Sequence, residues 1–371
     1  MKIKWTFLFI IILNVLFLSG CSSEGINEKL IIHGIGVDKN EEKYTVTMHV
    51  LNTNALSDEG GDKEEEIEVI SESGYTLLDA ISNIEKSSGK KALYSHNLIL
   101  VVGKETAGLY MDKILSFFSS DYNLRPSVEV LISQTTAKDV LNIKNDDKLI
   151  TADDIMSMLE TSYNKKDQLK FSLKSFLGNV QSNYKSAKAL CINSTQDTLE
   201  SNVLQISNMA VFKDEVMKGI LDEDETKGFL EISGELKNVE QDVNVDGNNL
   251  SCLIKKSSCK IKTLIEDGIP QFNMFIKATV NVYNDNLEDN ENVKPAIEKK
   301  LRELASKSIN KALIEYECDI FNFSRYLMNE NIDYFKSNRE NITDLLIKAK
   351  YCIDVDVKVN YMGKNSSLFE E

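Results

Sequence analysis

Hydrophobic and polar positions follow two rhythms along the chain, and each change of rhythm marks an element. Tyr44, Val46, Met48 and Val50 alternate with Thr45, Thr47 and His49, the period of a strand with one buried face. With the apolar run Leu30–Val37 before it, this predicts a hairpin turning at Asp38-Lys39-Asn40. A polar, acidic loop from Asn52 to Glu66 leads to a short strand at Ile67–Ile70. The rhythm then becomes helical. Thr76 with Asp79 three residues on is a capping box, Leu77, Ile81 and Ile84 form the buried stripe, and Ser87-Ser88-Gly89 stops the helix. Strands are expected at Asn97–Val102 and, after Arg125-Pro126, at Val128–Ser133, with helices at Thr106–Phe118 and Ala137–Ile143. Asp153–Gly178 reads as two helices, followed by strands near Lys188–Ile192 and Gln205–Phe212. The polar stretch Asn193–Asn202 between those strands is the expected domain boundary.

The second half opens with a short helix from about Asp222 to Leu230. Leu250–Tyr283 reads as an antiparallel meander, in whose last strand Phe272, Met274, Ile276, Ala278, Val280 and Val282 alternate without a break. After an acidic loop, Asn284–Asn292, Pro295 suits a first helical turn, where its missing N–H costs nothing. A long amphipathic helix to about Tyr316 buries Ile297, Leu301, Leu304, Ala305, Ile309, Ala312, Leu313 and Tyr316, a stripe expected to pack on the Phe272–Val282 face. Helices near Asn331–Lys336 and Asn341–Lys350 precede a closing strand in which Ile353, Val355, Val357, Val359 and Tyr361 alternate with Asp354, Asp356 and Lys358. The pattern predicts the α+β class, with two to three α/β subdomains of mixed or antiparallel sheets flanked by helices. The expected units are residues 21–195 and 200–371, the second divisible in two.

The first 20 residues follow neither rhythm. Lys2 and Lys4 precede a 14-residue apolar stretch, Trp5–Leu18, interrupted by Thr6 and Asn14. About 20 apolar residues are needed to cross ~30 Å of hydrocarbon, so this stretch has the length of a signal-peptide core. Leu18-Ser19-Gly20-Cys21 resembles the lipobox of bacterial lipoproteins. The resemblance implies removal of residues 1–20 and a diacylglyceryl group on the Cys21 sulfur. Two acyl chains anchor stably where one does not. The body is expected outside the cytoplasmic membrane.

The 351 residues after the leader exceed one core. Net charge is −15, or −17 without Lys2 and Lys4. Such a body is expected to avoid nucleic acid and anionic lipid headgroups, leaving the lipid as its tether. Five cysteines follow Cys21: Cys191, Cys252, Cys259, Cys318 and Cys352. The odd count and wide spacing are not those of a disulfide scaffold. If Lys255-Lys256 is a two-residue turn, Cys252 and Cys259 lie opposite each other at bridging distance; otherwise both are small core residues.

Catalytic chemistry is sparse. The three histidines, His33, His49 and His96, have no cysteine or carboxylate at metal-ligand spacing. Gly34-Ile35-Gly36 leads into a strand, not a helix, so it is no dinucleotide loop. There is no G-x-S-x-G elbow, and the second half contains no His. Asp222-Glu223-Asp224-Glu225 and Glu64-Glu65-Glu66 lack the alternating ligands of a calcium loop and read as solvated turns. Neither metal nor cofactor is expected, and the chain reads as non-enzymatic.

Other segments carry a resemblance. Gly34-Ile35-Gly36-Val37-Asp38-Lys39 with Tyr44-Thr45-Val46-Thr47 resembles the opening hairpin of the Ger(x)C spore-germination lipoproteins, the C subunits of nutrient germinant receptors. Thr76-Leu77-Leu78-Asp79-Ala80, Ser88-Gly89-Lys90-Lys91, His96-Asn97, Phe117-Phe118, Asp121, Arg125 and Ala137-Lys138-Asp139-Val140-Leu141 continue it. Glu225-Thr226-Lys227-Gly228-Phe229-Leu230 resembles the family's E-T-x-G segment, Asp319-Ile320-Phe321 its D-I-F-G-F, and Val355–Val359 its closing strand. Two positions depart: Ser22-Ser23 stands for Trp-Asp after the lipid Cys, and Asn322 for the Gly after D-I-F. The resemblance implies a subunit on the outer face of the spore's inner membrane, with integral-membrane A and B subunits as partners and a nutrient ligand reached through the complex. Asp38, Asn97, Arg125, Glu225 and Asp319 are the candidate partner-contact residues. Competing classes are an exported cortex-acting hydrolase, which needs an acid–base pair in a cleft, and a solute-binding lipoprotein, which needs two lobes about a polar cleft.

Overall fold

Strands with one or both faces apolar and helices with one apolar stripe must bury those surfaces against each other, and here they do so around two main sheets. The structure, a computed structural model, describes residues 29–51, 67–120, 124–145, 148–162, 171–182, 185–196, 202–283 and 291–362. The leader with Cys21, the acidic loop 52–66, Asp121 and most of the acidic loop 284–292 lie outside the described residues.

The first part runs β1 (Lys29–Lys39), β2 (Tyr44–Leu51), β3 (Ile67–Gly74), α1 (Leu77–Ser88), β4 (Lys91–Leu93), β5 (Ile99–Gly103), α2 (Lys104–Ser120), β6 (Glu129–Ser133) and α3 (Ala137–Leu141). It continues through β7 (Lys144–Asn145), β8 (Lys148–Leu149), α4 (Ala152–Ser162), α5 (Leu173–Val180), β9 (Ser186–Gln196), β10 (Asn202–Lys213) and β11 (Val216–Leu221). Among the described residues these build one nine-stranded sheet in the order β11-β10-β9-β6-β5-β1-β2-β3, with β4 also on β1, and β7 pairs with β8 apart from it. β1, β5, β6 and β9 are mutually parallel and the outer strands antiparallel. α1, α2 and α5 cover one face through Ile81, Met111 and Phe176. α3 and α4 cover the other through Val140 and Ile155.

The capping box of α1 forms as expected, with Thr76 Oγ1 accepting from the Asp79 N–H and Gly89 in the left-handed conformation beyond the end. The β1–β2 reversal comes later than expected. Asp38 and Lys39 remain in β1, and the turn closes between Asn40 and Lys43. The polar stretch expected as a domain boundary joins two strands of one sheet, for β9 pairs with β10 and the sheet runs on to Leu221.

The second part comprises α6 (Glu223–Ile232), β12 (Val239–Val245), β13 (Asn248–Glu266), β14 (Ile269–Val282), α7 (Val293–Ile309), α8 (Phe323–Glu330), α9 (Ile332–Ser337), α10 (Ile342–Lys348) and β15 (Lys350–Tyr361). Its sheet has the order β12-β13-β14-β15. Asp246-Gly247 and Asp267-Gly268, all at positive φ, make the two tight hairpin turns. The Lys255-Lys256 turn does not exist. β13 runs straight through it with a bulge, so Cys252 and Cys259 lie seven residues apart on one strand, roughly 20 Å at ~3.3 Å per residue. Both thiols are free.

α7 continues through a wider turn at Asn310–Glu315 and buries the expected stripe in one core with Met274, Ile276 and Val280 of β14. It also closes an edge. Arg302 Nε donates to the Ile353 carbonyl at 3.1 Å, and the Val357 N–H donates to Glu298 Oε1 at 3.2 Å, which occupies backbone groups that an edge strand would otherwise expose. β15 returns parallel to β14, the long crossover α7–α10 supplying the connection that parallel pairing requires.

Candidate functional site

After β5 the chain passes to one face of the nine-stranded sheet through α2, and after β6 to the opposite face through α3. Diverging connections at the carboxyl ends of neighbouring parallel strands open a crevice there, the usual ligand position in open α/β sheets. The crevice is present, with a volume of about 770 Å³, and is lined by Asp38, Lys39, Gly103, Lys104, Thr136 and Lys138 among others. Its floor is filled from within. The Ala137 and Lys138 N–H groups donate to Asp38 Oδ1 and Oδ2, each at 2.8 Å. The chain's own carboxylate thus occupies the first turn of α3, where an anion is stabilised by unsatisfied N–H groups. Burial raises the Asp38 pKa, and the two backbone donors oppose that rise. Gly103 is required beside it, because a Cβ there would overlap Asp38 Oδ1. Lys39 is committed too, with Nζ 5.0 and 4.7 Å from the Tyr44 and Tyr110 ring centroids.

The other expected contact residues are dispersed. Asn97 is buried before β5 and its side-chain amide donates to the Ile99 carbonyl at 3.1 Å. Glu225 closes the capping box of α6, accepting from the Asp222 N–H at 2.8 Å. Asp319 is buried and accepts from the Phe323 and Ser324 N–H groups, each at 2.8 Å, and from the Ser324 hydroxyl. Its own N–H donates to Ser186 Oγ of β9 at 3.0 Å, tying the entry to α8 to the first sheet. Burial raises the Asp319 pKa against those donors. Arg125 is exposed before β6. Asp38, Asn97, Glu225 and Asp319 therefore each serve a local fold feature, and the structure does not gather them. Asn322 lies at φ 61°, ψ 33°, the conformation for which glycine is the default and asparagine a common alternative. That accounts for its place where the family pattern has Gly.

Nucleophilic chemistry finds no support among the described residues. Burial pushes the Cys191, Cys259 and Cys318 thiols up to about 12, far from the thiolate a nucleophile requires. His49 is fully buried, its Nε2–H donating to the Leu141 carbonyl at 2.7 Å, and burial holds its pKa below the usual value. His33 Nδ1 lies 3.1 Å from Asp153 Oδ2 and its ring stacks on His96 at 6.5 Å.

Three buried carboxyls among the described residues, Glu129, Glu231 and Glu235, escaped the sequence reading. Glu231 is fully buried with neither oxygen bonded among the described residues, and its only sequence signal is an acid inside Phe229-Leu230-Glu231-Ile232. Glu129, at the start of β6, is pushed by burial from 4.5 to about 8. The unfolded chain releases this proton above pH 4.5 while the folded one keeps it to about 8, so the folded state loses stability as pH rises across that window. Glu129→Gln is expected to match the wild type near pH 4, to gain on it by up to about 1.4 kcal/mol per pH unit between 4.5 and about 8, and to gain nothing further above that. Denaturant melts at three pH values check this; parallel curves for the two proteins would refute it.

Residues 22–191 match the model described as Spore germination protein N-terminal domain, and residues 207–363 match Spore germination B3/GerAC like, C-terminal. The chain is 23% identical to Spore germination protein B3 of Bacillus subtilis (strain 168) over 367 residues, covering 94% of this chain and 96% of that protein. It is 26% identical to Spore germination protein A3 of the same organism over 272 residues, covering 72% and 70%. Its fold resembles the crystal structure of the GerBC protein, with a TM-score of 0.60 at 19% identity over 88% of this chain and 96% of that one.

Proposed function

The chain belongs to the Ger(x)C family of spore germination proteins, and on that premise we propose that it is a non-enzymatic, lipid-anchored subunit of a nutrient germinant receptor. It is held at the outer face of the spore's inner membrane through Cys21 and works by binding integral-membrane A and B subunits, which carry the nutrient response. The supporting observation is that the two matched regions follow in family order over nearly the whole chain, from 22 to 363. The family-like Asp38 and Asp319 segments are spent on holding the fold together, and the helix N-terminus on the floor of the first sheet's crevice is occupied by the chain's own carboxylate. Both features suit a scaffold better than a hydrolase or a solute-binding lobe. Lipid confinement raises the protein's effective concentration beside its partners.

Deletion tests this reading. Spores lacking the protein are expected to lose the response to one set of nutrients, to germinate normally with a trigger that bypasses receptors, and to arise from cells with unchanged vegetative growth. Failure of cortex breakdown after the bypass trigger would place the protein downstream and return the hydrolase reading.

A further inference from the structure

Among the described residues the second sheet packs helices on one face only. None of them covers its other face, and the strand register states what that face carries. Directly paired residues share a face. Across β13, β14 and β15 the open rows read Lys256–Thr279–Lys358, Ser258–Lys277–Asp356 and Lys260–Phe275–Asp354. The intervening row Cys259–Ile276–Val355 points inward. Lys256, Lys260, Lys277 and Lys358 are exposed and form no ion pair among the described residues, Asp356 is paired with Lys294 at 3.0 Å, and Asp354 beside Phe275 is the acid of these rows left unpaired among the described residues. Phe275 is 42% exposed in the middle of these lysines, and Leu264 and Ile269 at the hairpin tip are 47% and 40% exposed. A chain of net charge −15 thus places four unpaired lysines around exposed apolar side chains on a sheet face that no described residue covers.

We propose that this open sheet face docks on the anionic phospholipid surface of the bilayer. The lysines meet phosphate headgroups, and Phe275 with the hairpin tip reaches the boundary of the acyl region. Whole-chain charge argues against such a contact, yet electrostatic attraction to a surface acts within about a Debye length, ~8 Å, so the nearest charges decide it. The proposal rests on the anchor reading only for the proximity of a membrane.

Cys352 reports on it, being free and exposed on the same face, across from Asn273. The full-length protein is purified from detergent-extracted membranes, and its mass shows whether Cys21 carries lipid, which tests the anchor separately. The protein is then mixed with vesicles of phosphatidylcholine alone or with phosphatidylglycerol, and the rate at which a membrane-impermeant maleimide labels Cys352 is read. Labelling is expected to slow about tenfold or more on the anionic vesicles, with each lysine worth about fivefold in binding, and to recover in high salt. The triple variant Lys256→Glu, Lys260→Glu, Lys277→Glu should label equally fast on both vesicles with an unchanged melting temperature. Equal labelling of the wild type on both vesicles overturns the proposal. So does protection by polyglutamate as strong as that by anionic vesicles, which would assign the face to an acidic polypeptide.

Discussion

Gly228→Val is expected to lower the stability of the body by about 4 kcal/mol or more, at the upper end of single substitutions. Gly228 lies in α6 at its crossing with α7, where a Cβ would overlap the Leu304 carbonyl and come within 2.9 Å of Ser308 Cβ. Backbone cannot move aside as the end of a side chain can. Relief requires the two helices to separate, which uncovers Leu304, Ala305 and Phe229, all buried now. Glycine inside a helix costs about 0.5–1 kcal/mol relative to alanine, so its presence here marks close approach, not conformational preference. The melting temperature should fall by about 10 °C or more, at ~2–4 °C per kcal/mol for a domain of this size. Gly228→Ala should fall in between. A valine variant melting with the wild type would mean that α6 and α7 part without loss.

Leu301→Asp is expected to cost about 5 kcal/mol or more. The wild-type side chain is fully buried in the stripe of α7. Removing it forfeits the transfer and cavity contributions of a core leucine, ~2–5 kcal/mol, and the new carboxyl adds the cost of a buried polar group without a partner. Burial raises its pKa, so the folded state holds a proton that the unfolded chain releases. The deficit therefore grows as pH rises above the ordinary carboxylate range. Leu301→Asn shares the cavity and the polar cost but not this slope, and comparing the two melts over pH separates the contributions. If Leu301→Asp melts within a degree or two of the wild type, the stripe is exposed and serves a partner instead of the core.

Much of the molecule is legible one segment at a time. The capping box of Thr76 and Asp79 recurs at Thr136–Asp139 and Asp222–Glu225. Each is complete within four residues. The two-fold alternation of β14 and β15 states which face is buried before any partner is known, whereas β2 alternates yet buries Thr47 and His49 as fully as Val46 and Met48. Of the two readings open at Lys255-Lys256 the turn is the weaker, because Asp246-Gly247 and Asp267-Gly268, flanked by alternating residues, are the stronger hairpin signals and delimit a single 19-residue strand.

Other features exist only in three dimensions. Asp38 looks like a turn residue in sequence, yet its carboxylate is spent on N–H groups 99 and 100 residues away. Asn193–Asn202 looks like a linker because it is polar, but polarity reports solvent exposure and not which strands flank it, and β9 pairs with β10 across it. The lysine face is a product of register: net charge is a sum over the chain, whereas a patch depends on which strands lie side by side. Caps, turns and alternation are decided by atoms within one or two turns of backbone, so the sequence determines them alone. Strand order, the α6–α7 crossing and the open lysine face are set by competition among distant apolar surfaces for the same burial, a comparison that only the assembled core makes.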